Sequence, residues 1–252
     1  MIKSKKLSKF KTINHGFFDR TKGTSNGIYK SLNCGLGSFD NKKNVLKNLK
    51  IVCRKIKSSP KNLILLNQIH SNKYYFINKK KKIKKKFKGD ALITNLNNVA
   101  LAVLTADCVP ILIYDKKLKI ISAIHAGWRG IHKQIIYKVI NFFIKKGSSV
   151  NNLIVSVGPC ISQKSYEVKK DFVTKFMKKD KKSKLFFKKV KNKTYFSLNK
   201  YILYQLKKLG IKNSEIINKD TFDTNNNFFS ARRSIIKKEI DYGRNISVIM
   251  IN

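Results

Sequence analysis

The amino-acid sequence predicts an α+β fold: a single layered domain spanning 1–252, with central mixed β-sheets flanked by helices. Three observations predict it. Short apolar segments rich in β-branched residues alternate with patterns of helical period. No internal repeat of solenoid length interrupts that alternation. A chain of 252 residues is also long enough to bury one substantial core, against which sheets and helices pack in layers.

Taken in chain order, the strand-like segments are 62–66, 74–77, 100–104, 111–114, 119–124, 153–157 and 246–251. The lysine run 79–88 falls between two of them and reads as a loop insertion, because the segments on either side share one composition. Ile131, Ile135, Val139 and Phe142 recur at near-four spacing, and Ile136, Ile140 and Phe143 widen the stripe. Lys145, Lys146 and Gly147 close it, so one amphipathic helix is expected there. Val168, Phe172 and Phe176 mark a second helix. Leu198, Ile202, Leu206 and Leu209, followed by Gly210, mark a third.

Charge narrows the function classes. Lys and Arg number 56 against 13 acidic residues, a formal net charge of +43 that attracts any polyanion at low salt. Yet the lysines are spread along the whole chain with many Asn and Ile. The longest basic run contains Phe87 as its one aromatic, and no helix-turn-helix or RNP-like signature occurs. Nucleic acid is therefore not expected as a specific partner. Cys34, Cys53, Cys108 and Cys160 lie far apart, which fits neither a disulfide framework nor a zinc knuckle and suits a reducing compartment. No signal-peptide pattern and no apolar run of membrane-spanning length is present, so a cytoplasmic protein is expected.

Polar residues interrupt the apolar pattern at three strand ends: Gln68-Ile69-His70, Thr105-Ala106-Asp107-Cys108 and His125-Ala126-Gly127-Trp128-Arg129-Gly130. Two imidazoles and one thiolate make a three-ligand set that leaves a fourth position for water or substrate, the pattern of a catalytic zinc site. Copper is chemically admissible. The same atoms also fit a nucleophilic Cys108 with His125 as its base. Asp107 reads either as an imidazole-orienting or proton-transferring carboxylate or as a turn residue. Arg129, at the start of the expected helix, is placed to hold a phosphate together with the helix N–H groups, or else is simply solvated.

These segments resemble the laccase-domain, or multicopper polyphenol oxidase-like, family, also described as purine nucleoside phosphorylases and as a peptidoglycan editing factor. HGFFDR, SNGIYKSLNCG, NQIHS, GDALIT, TADCVPILIYD, AIHAGWRG, GPCISQKSYEV, FFSARR and GRN carry the resemblance over nearly the whole chain. It implies metal ligation by His70, Cys108 and His125. It also implies phosphorolysis of adenosine, inosine and methylthioadenosine, with adenosine deamination, so that purine nucleosides and phosphate are the expected partners.

In that reading Cys108, His125 and Asp107 are the catalytic residues, with Asp107 as proton shuttle. Arg129 and Arg20 hold phosphate, Asn33 and Gln68 orient the nucleoside, and Phe229 offers a stacking face. Departures fall at Lys22-Gly23, where a glycine pair is common, at Asp220-Thr221 in place of Cys-Thr, and at Ala231. Two rival readings share the site: a copper-dependent polyphenol oxidase and a cysteine-type hydrolase editing cell-wall precursors.

Overall fold

A computed structural model describes residues 1–79 and 87–252. Most of the lysine run expected to form a loop insertion therefore lies outside the described residues. In chain order the elements begin with β1 (Ile13–Phe17), α1 (Lys42–Lys55), β2 (Leu63–Ile64), β3 (Leu66–Asn67), β4 (Tyr74–Ile77), β5 (Phe87–Lys88) and β6 (Ala91–Thr94). They continue with β7 (Ala100–Thr105), β8 (Val109–Asp115), β9 (Ile120–Ala126), α2 (Trp128–His132), α3 (Ile135–Lys145), β10 (Leu153–Val157) and β11 (Glu167–Val168). The last are α4 (Lys170–Lys179), β12 (Phe187–Val190), β13 (Lys193–Phe196), α5 (Leu198–Lys208), β14 (Ser214–Ile216), α6 (Ala231–Ile236) and β15 (Asn245–Ile251).

Two mixed sheets lie at the centre, one in the order β1-β15-β7-β2 and the other β14-β10-β8-β9-β6-β4. The two-residue period of a strand splits their side chains between separate cores. Leu101 and Val103 of β7 meet Leu112 and Tyr114 of β8 and Ile121 and Ala123 of β9 in the layer between the sheets. The alternate residues Ala100 and Ala102, with Ile246 and Val248, pack instead against Leu49 and Val52 of α1. On the far side Ile111, Ile113 and Ile124 pack on Val139, Ile140 and Phe143 of α3 and on Ile202 and Leu206 of α5. The result is helix, sheet, sheet, helix: mixed sheets flanked by helices, as the sequence predicts. Each fully buried aliphatic side chain in these layers contributes roughly 1.5–3 kcal/mol.

The expected elements change in three places. The strand read over 62–66 is cut at Leu65. β2 pairs parallel with β7 in the four-stranded sheet, whereas β3 pairs parallel with β5, so the chain changes sheets within one residue. The helix expected from Ile131 is two helices, because Gln134 adopts a left-handed conformation (φ 64°) and turns the chain between α2 and α3. Val168 belongs to β11, paired with Thr194, and not to α4. Helix α1 escaped the sequence reading although its Val45, Leu49 and Val52 form a buried stripe and the Asn41 side chain caps it by accepting from Lys43 N–H.

Candidate metal centre

Three chain segments converge where the two sheets exchange strands. β7 belongs to one sheet and β8 to the other, and residues 106–108 make the step between them. Asp107 takes a positive φ of 84° there, and its carboxylate accepts from Thr221 Oγ1 (2.7 Å), Ser230 Oγ (2.9 Å) and Arg232 N–H (2.7 Å). Cys108 follows at the mouth of β8. β9 runs antiparallel to β8 with Pro110 opposite His125, which puts that imidazole beside the crossover. The apolar pattern ends this strand at Ile124, whereas β9 extends to Ala126 and buries His125. His70 arrives from the turn after β3, at a positive φ of 54°.

The donor atoms of His70, Cys108 and His125 lie within 4.8 Å of one another. Cys108 Sγ is 3.9 Å from His70 Nε2, and the two imidazole rings stand edge to face at 4.8 Å between centroids. Zinc bonded to sulfur at about 2.3 Å and to nitrogen at about 2.0 Å sets tetrahedral donors roughly 3.5 Å apart, so a contraction of between about 0.4 and 1.3 Å closes the set. Gly127 makes the space: a Cβ there would stand 2.8 Å from His70 Cδ2 and 3.1 Å from Cys108 Sγ. The residues present thus fit a divalent ion of the zinc or copper type.

Asp90, fully buried and missed by the sequence reading, organises the pair of histidines. Its Oδ1 accepts from His125 Nδ1 (2.8 Å) and from the His70 backbone N–H (3.0 Å), while Oδ2 accepts from Ser71 N–H and Oγ. With Nδ1 so engaged, Nε2 is the nitrogen His125 offers to the centre. Burial alone would raise the Cys108 thiol, but the neighbouring His125 charge and hydrogen bonds from both imidazoles bring it down to about 6. Burial likewise lowers His125, and the Cys108 thiolate and Asp90 outweigh it, lifting the imidazole to about 9. Both shifts run in the direction that favours a thiolate beside an imidazolium.

The three donors sit in a cleft of about 330 Å³ that is also lined by Leu66, Gln68, Leu104, Tyr242 and Arg244. The other anticipated residues are placed differently. Asn33 is fully buried, its amide spent on Ser38, Asp40 and the backbone N–H groups of Gly35 and Arg244, so it stabilises a loop and has no free group for a nucleoside. Gln68 reaches the cleft but both ends of its amide pair with the Leu104 backbone, as a strand neighbour would.

Phe229 is 2 % exposed, with the Arg20 guanidinium 4.7 Å over its ring, and neither is among the residues that line the cleft. Arg129 is exposed and lies over Trp128 at 4.8 Å, and α2 behind it is a five-residue turn that ends before a macrodipole develops. Asp107 is engaged with its three donors from the C-terminal segment. GDALIT and GRN contained the missed residues Asp90, Arg244 and the nearby Asn245, but an Asp after Gly reads as a turn and one Arg does not stand out among 56 basic residues.

A layered mixed fold that gathers two imidazoles and a thiolate at the floor of a cleft defines a protein class with a candidate His–Cys–His metal centre. The chain belongs to the multi-copper polyphenol oxidoreductase laccase family, whose model matches residues 14–252. Relatives over most of the chain carry the name purine nucleoside phosphorylase. One from Rickettsia conorii is 33% identical, covering 93% of this chain and 94% of its own. Another from Bacteroides thetaiotaomicron is 32% identical, covering 100% and 96%. A relative named adenosine deaminase, from an unknown prokaryote, is 38% identical over 35% of this chain and 34% of its own. The crystal structure of a Neisseria meningitidis protein superposes with a TM-score of 0.84 at 27% identity, covering 96% of this chain and 95% of that one. Among the described residues no helix is long and apolar enough to cross a membrane.

Proposed function

We propose that residues 1–252 act as one catalytic domain, a zinc-dependent purine nucleoside phosphorylase of the cytoplasm. Its substrates are adenosine, inosine or methylthioadenosine together with phosphate, and adenosine is deaminated at the same centre. The observation that carries this reading is the cluster of His70, Cys108 and His125 donors at the floor of a cleft large enough for a nucleoside. The names of the relatives supply the substrate class.

When bound at these residues, the metal supplies Lewis-acid polarisation of a substrate or water oxygen. Asp90 fixes the ring of His125, Cys108 contributes a thiolate at neutral pH, and Leu66 and Leu104 supply an apolar wall. Phosphorolysis further needs an anion held beside the anomeric carbon, since its transition state carries positive charge on the sugar and negative charge on the departing base.

One observation favours a second reading. Asp90, His125 and Cys108 also stand in the order of a cysteine hydrolase triad, with the carboxylate on Nδ1 and the thiol lowered by the imidazole. Copper and phenol oxidation form the third.

Incubation of the purified protein with adenosine, with and without phosphate, separates them when combined with metal analysis. Adenine plus ribose 1-phosphate only with phosphate, and inosine without it, are the expected products, with loss of both on Cys108→Ser or His125→Ala. Phenol turnover that tracks copper loading, or an acyl adduct on Cys108 in metal-free protein, overturns the assignment.

A further inference from the structure

We propose that Arg244 binds the anion in this cleft, presenting two parallel N–H donors to a phosphate oxyanion opposite the His70, Cys108 and His125 cluster. Among the described residues it is the one Lys or Arg that lines the cleft, in a chain with 56 of them. A basic surface elsewhere raises the local concentration of anions, but only a cation inside the cleft fixes one beside the reacting carbon.

The side chain is built into place from several directions. Its backbone N–H donates to Asn33 Oδ1 (2.9 Å) and its carbonyl accepts from Cys34 N–H (3.1 Å), tying the start of β15 to the 33–35 loop. The buried amide of Asn33, unavailable to substrate, thus positions the arginine. The stem runs across Gly35, where any Cβ would collide with Arg244 Cδ, so only glycine leaves the path open. The guanidinium lies 4.4 Å over the Tyr242 ring.

Nη1 donates to both oxygens of Asp241 (3.0 and 3.2 Å) and to the Tyr242 carbonyl. Asp241 in turn accepts from Tyr29 Oη (2.8 Å) and Phe39 N–H (2.9 Å), so its charge is shared among three partners and its position is fixed. Nε and Nη2 have no hydrogen-bond partner among the described residues. Those are adjacent donors on one edge of the fork, the spacing that matches two phosphate oxygens. Arg20 and Arg129 offer no such edge, since Arg20 donates its Nε to the Lys30 carbonyl and Arg129 lies outside the cleft lining.

The identity of the anion as phosphate rests on the phosphorylase reading above. In that reaction a phosphate oxygen forms a bond to C1′ while the C1′–N9 bond breaks. Its electron pair leaves on the purine, which takes up the proton released by hydrogen phosphate. Arg244 holds the attacking phosphate, whereas deamination, which uses water, does not call on it.

Inorganic phosphate titrated calorimetrically into the metal-loaded full chain tests the assignment. Arg244→Gln is expected to weaken phosphate binding at least tenfold and to raise the phosphate KM in proportion. The nucleoside KM and adenosine deamination should stay within threefold, and Arg244→Lys should recover part of the loss. Gly35→Ala, which displaces the stem and leaves the guanidinium intact, is expected to weaken phosphate in the same direction and serves if Arg244→Gln does not fold. Wild-type protein that binds no phosphate, Arg244→Gln or Gly35→Ala that binds it as wild type does, or an equal loss in Arg129→Ala, overturns the proposal. Phosphate binding lost in Arg244→Gln while no form turns over a nucleoside upholds the anion site and rejects the phosphorylase reading.

Discussion

The Oδ1 atom of Asp90 lies 2.8 Å from Nδ1 of His125, and both residues are buried. That contact selects which imidazole nitrogen faces the centre. The same carboxylate also takes the backbone N–H of His70 and two donors of Ser71, so one side chain sets the position of both histidines.

Asp90→Asn keeps the volume but turns one acceptor oxygen into a donor, which then faces an N–H or O–H group. Metal affinity is expected to fall about 10–100-fold, the usual effect of losing an outer-shell carboxylate. Stability is expected to drop by roughly 1–3 kcal/mol from the stranded donors. Competition with a chelator and thermal unfolding measure the two separately. Unchanged metal affinity would show that His125 holds its orientation without Asp90.

The space between the ligands makes a second prediction. Gly127→Ala adds one methyl group 2.8 Å from His70 and 3.1 Å from Cys108, at a position whose φ of −72° any residue adopts. The backbone therefore tolerates the change and the ligand set does not. Metal content after dialysis is expected to fall at least tenfold with little change in circular dichroism. Gly37→Ala serves as the contrast, since Gly37 also lines the cleft but has nothing within 4 Å of its would-be Cβ. Equal metal retention in both variants would refute the crowding argument.

Local pattern made the layers and three candidate metal donors legible, while long-range pairing decided what it could not reach. Continuous apolar runs in 100–104 and 111–114 announced strands because each strand has two buried faces to fill. His70, Cys108 and His125 stood out as polar breaks at strand ends. Asp90 did not, because its partners lie 19 to 35 residues away and no local spacing encodes them. The break at Gln134 was masked by a helical stripe that continues through it, Ile131 and Ile135 both being buried on either side of a left-handed residue. A motif says that Asn33, Arg20 and Phe229 matter without saying whether they face a ligand or one another, and here Asn33 meets Arg244 while Arg20 lies over Phe229.

The pH response of the metal-free protein follows from the coupled pair. Cys108 is lowered to about 6, so its thiolate is present above that pH and is lost as pH falls through it. His125 is raised to about 9, so its imidazolium persists below that pH and is lost as pH rises through it. Alkylation of Cys108 should therefore rise with a midpoint near pH 6, while buried Cys34, Cys53 and Cys160 stay unreactive. In His125→Ala burial is left with less opposition, and the midpoint should move up towards the ordinary thiol range. A midpoint that does not move would mean that His125 does not stabilise the thiolate.

Asp107 offers the sharpest separation between a chemical and an architectural role. Burial raises its carboxyl, and the donors from Thr221, Ser230 and Arg232 bind its two oxygens across more than a hundred residues of chain, holding the segment before α6 against the sheet crossover. With one donor on Oδ1 and two on Oδ2, the carboxylate acts as a brace between distant segments, and its substitution tests whether it also moves a proton. Asp107→Asn retains the positive φ, which Asn tolerates, but leaves at least one hydroxyl or N–H without its acceptor. The expected outcome is a loss of roughly 1–3 kcal/mol in stability, with deamination per metal-loaded folded molecule within about threefold of wild type. Differential scanning calorimetry and turnover normalised to bound metal decide the matter. A hundredfold fall in turnover at full metal occupancy would instead place Asp107 in the chemistry, because a structural brace acts on how much protein is folded and not on how fast the folded protein works.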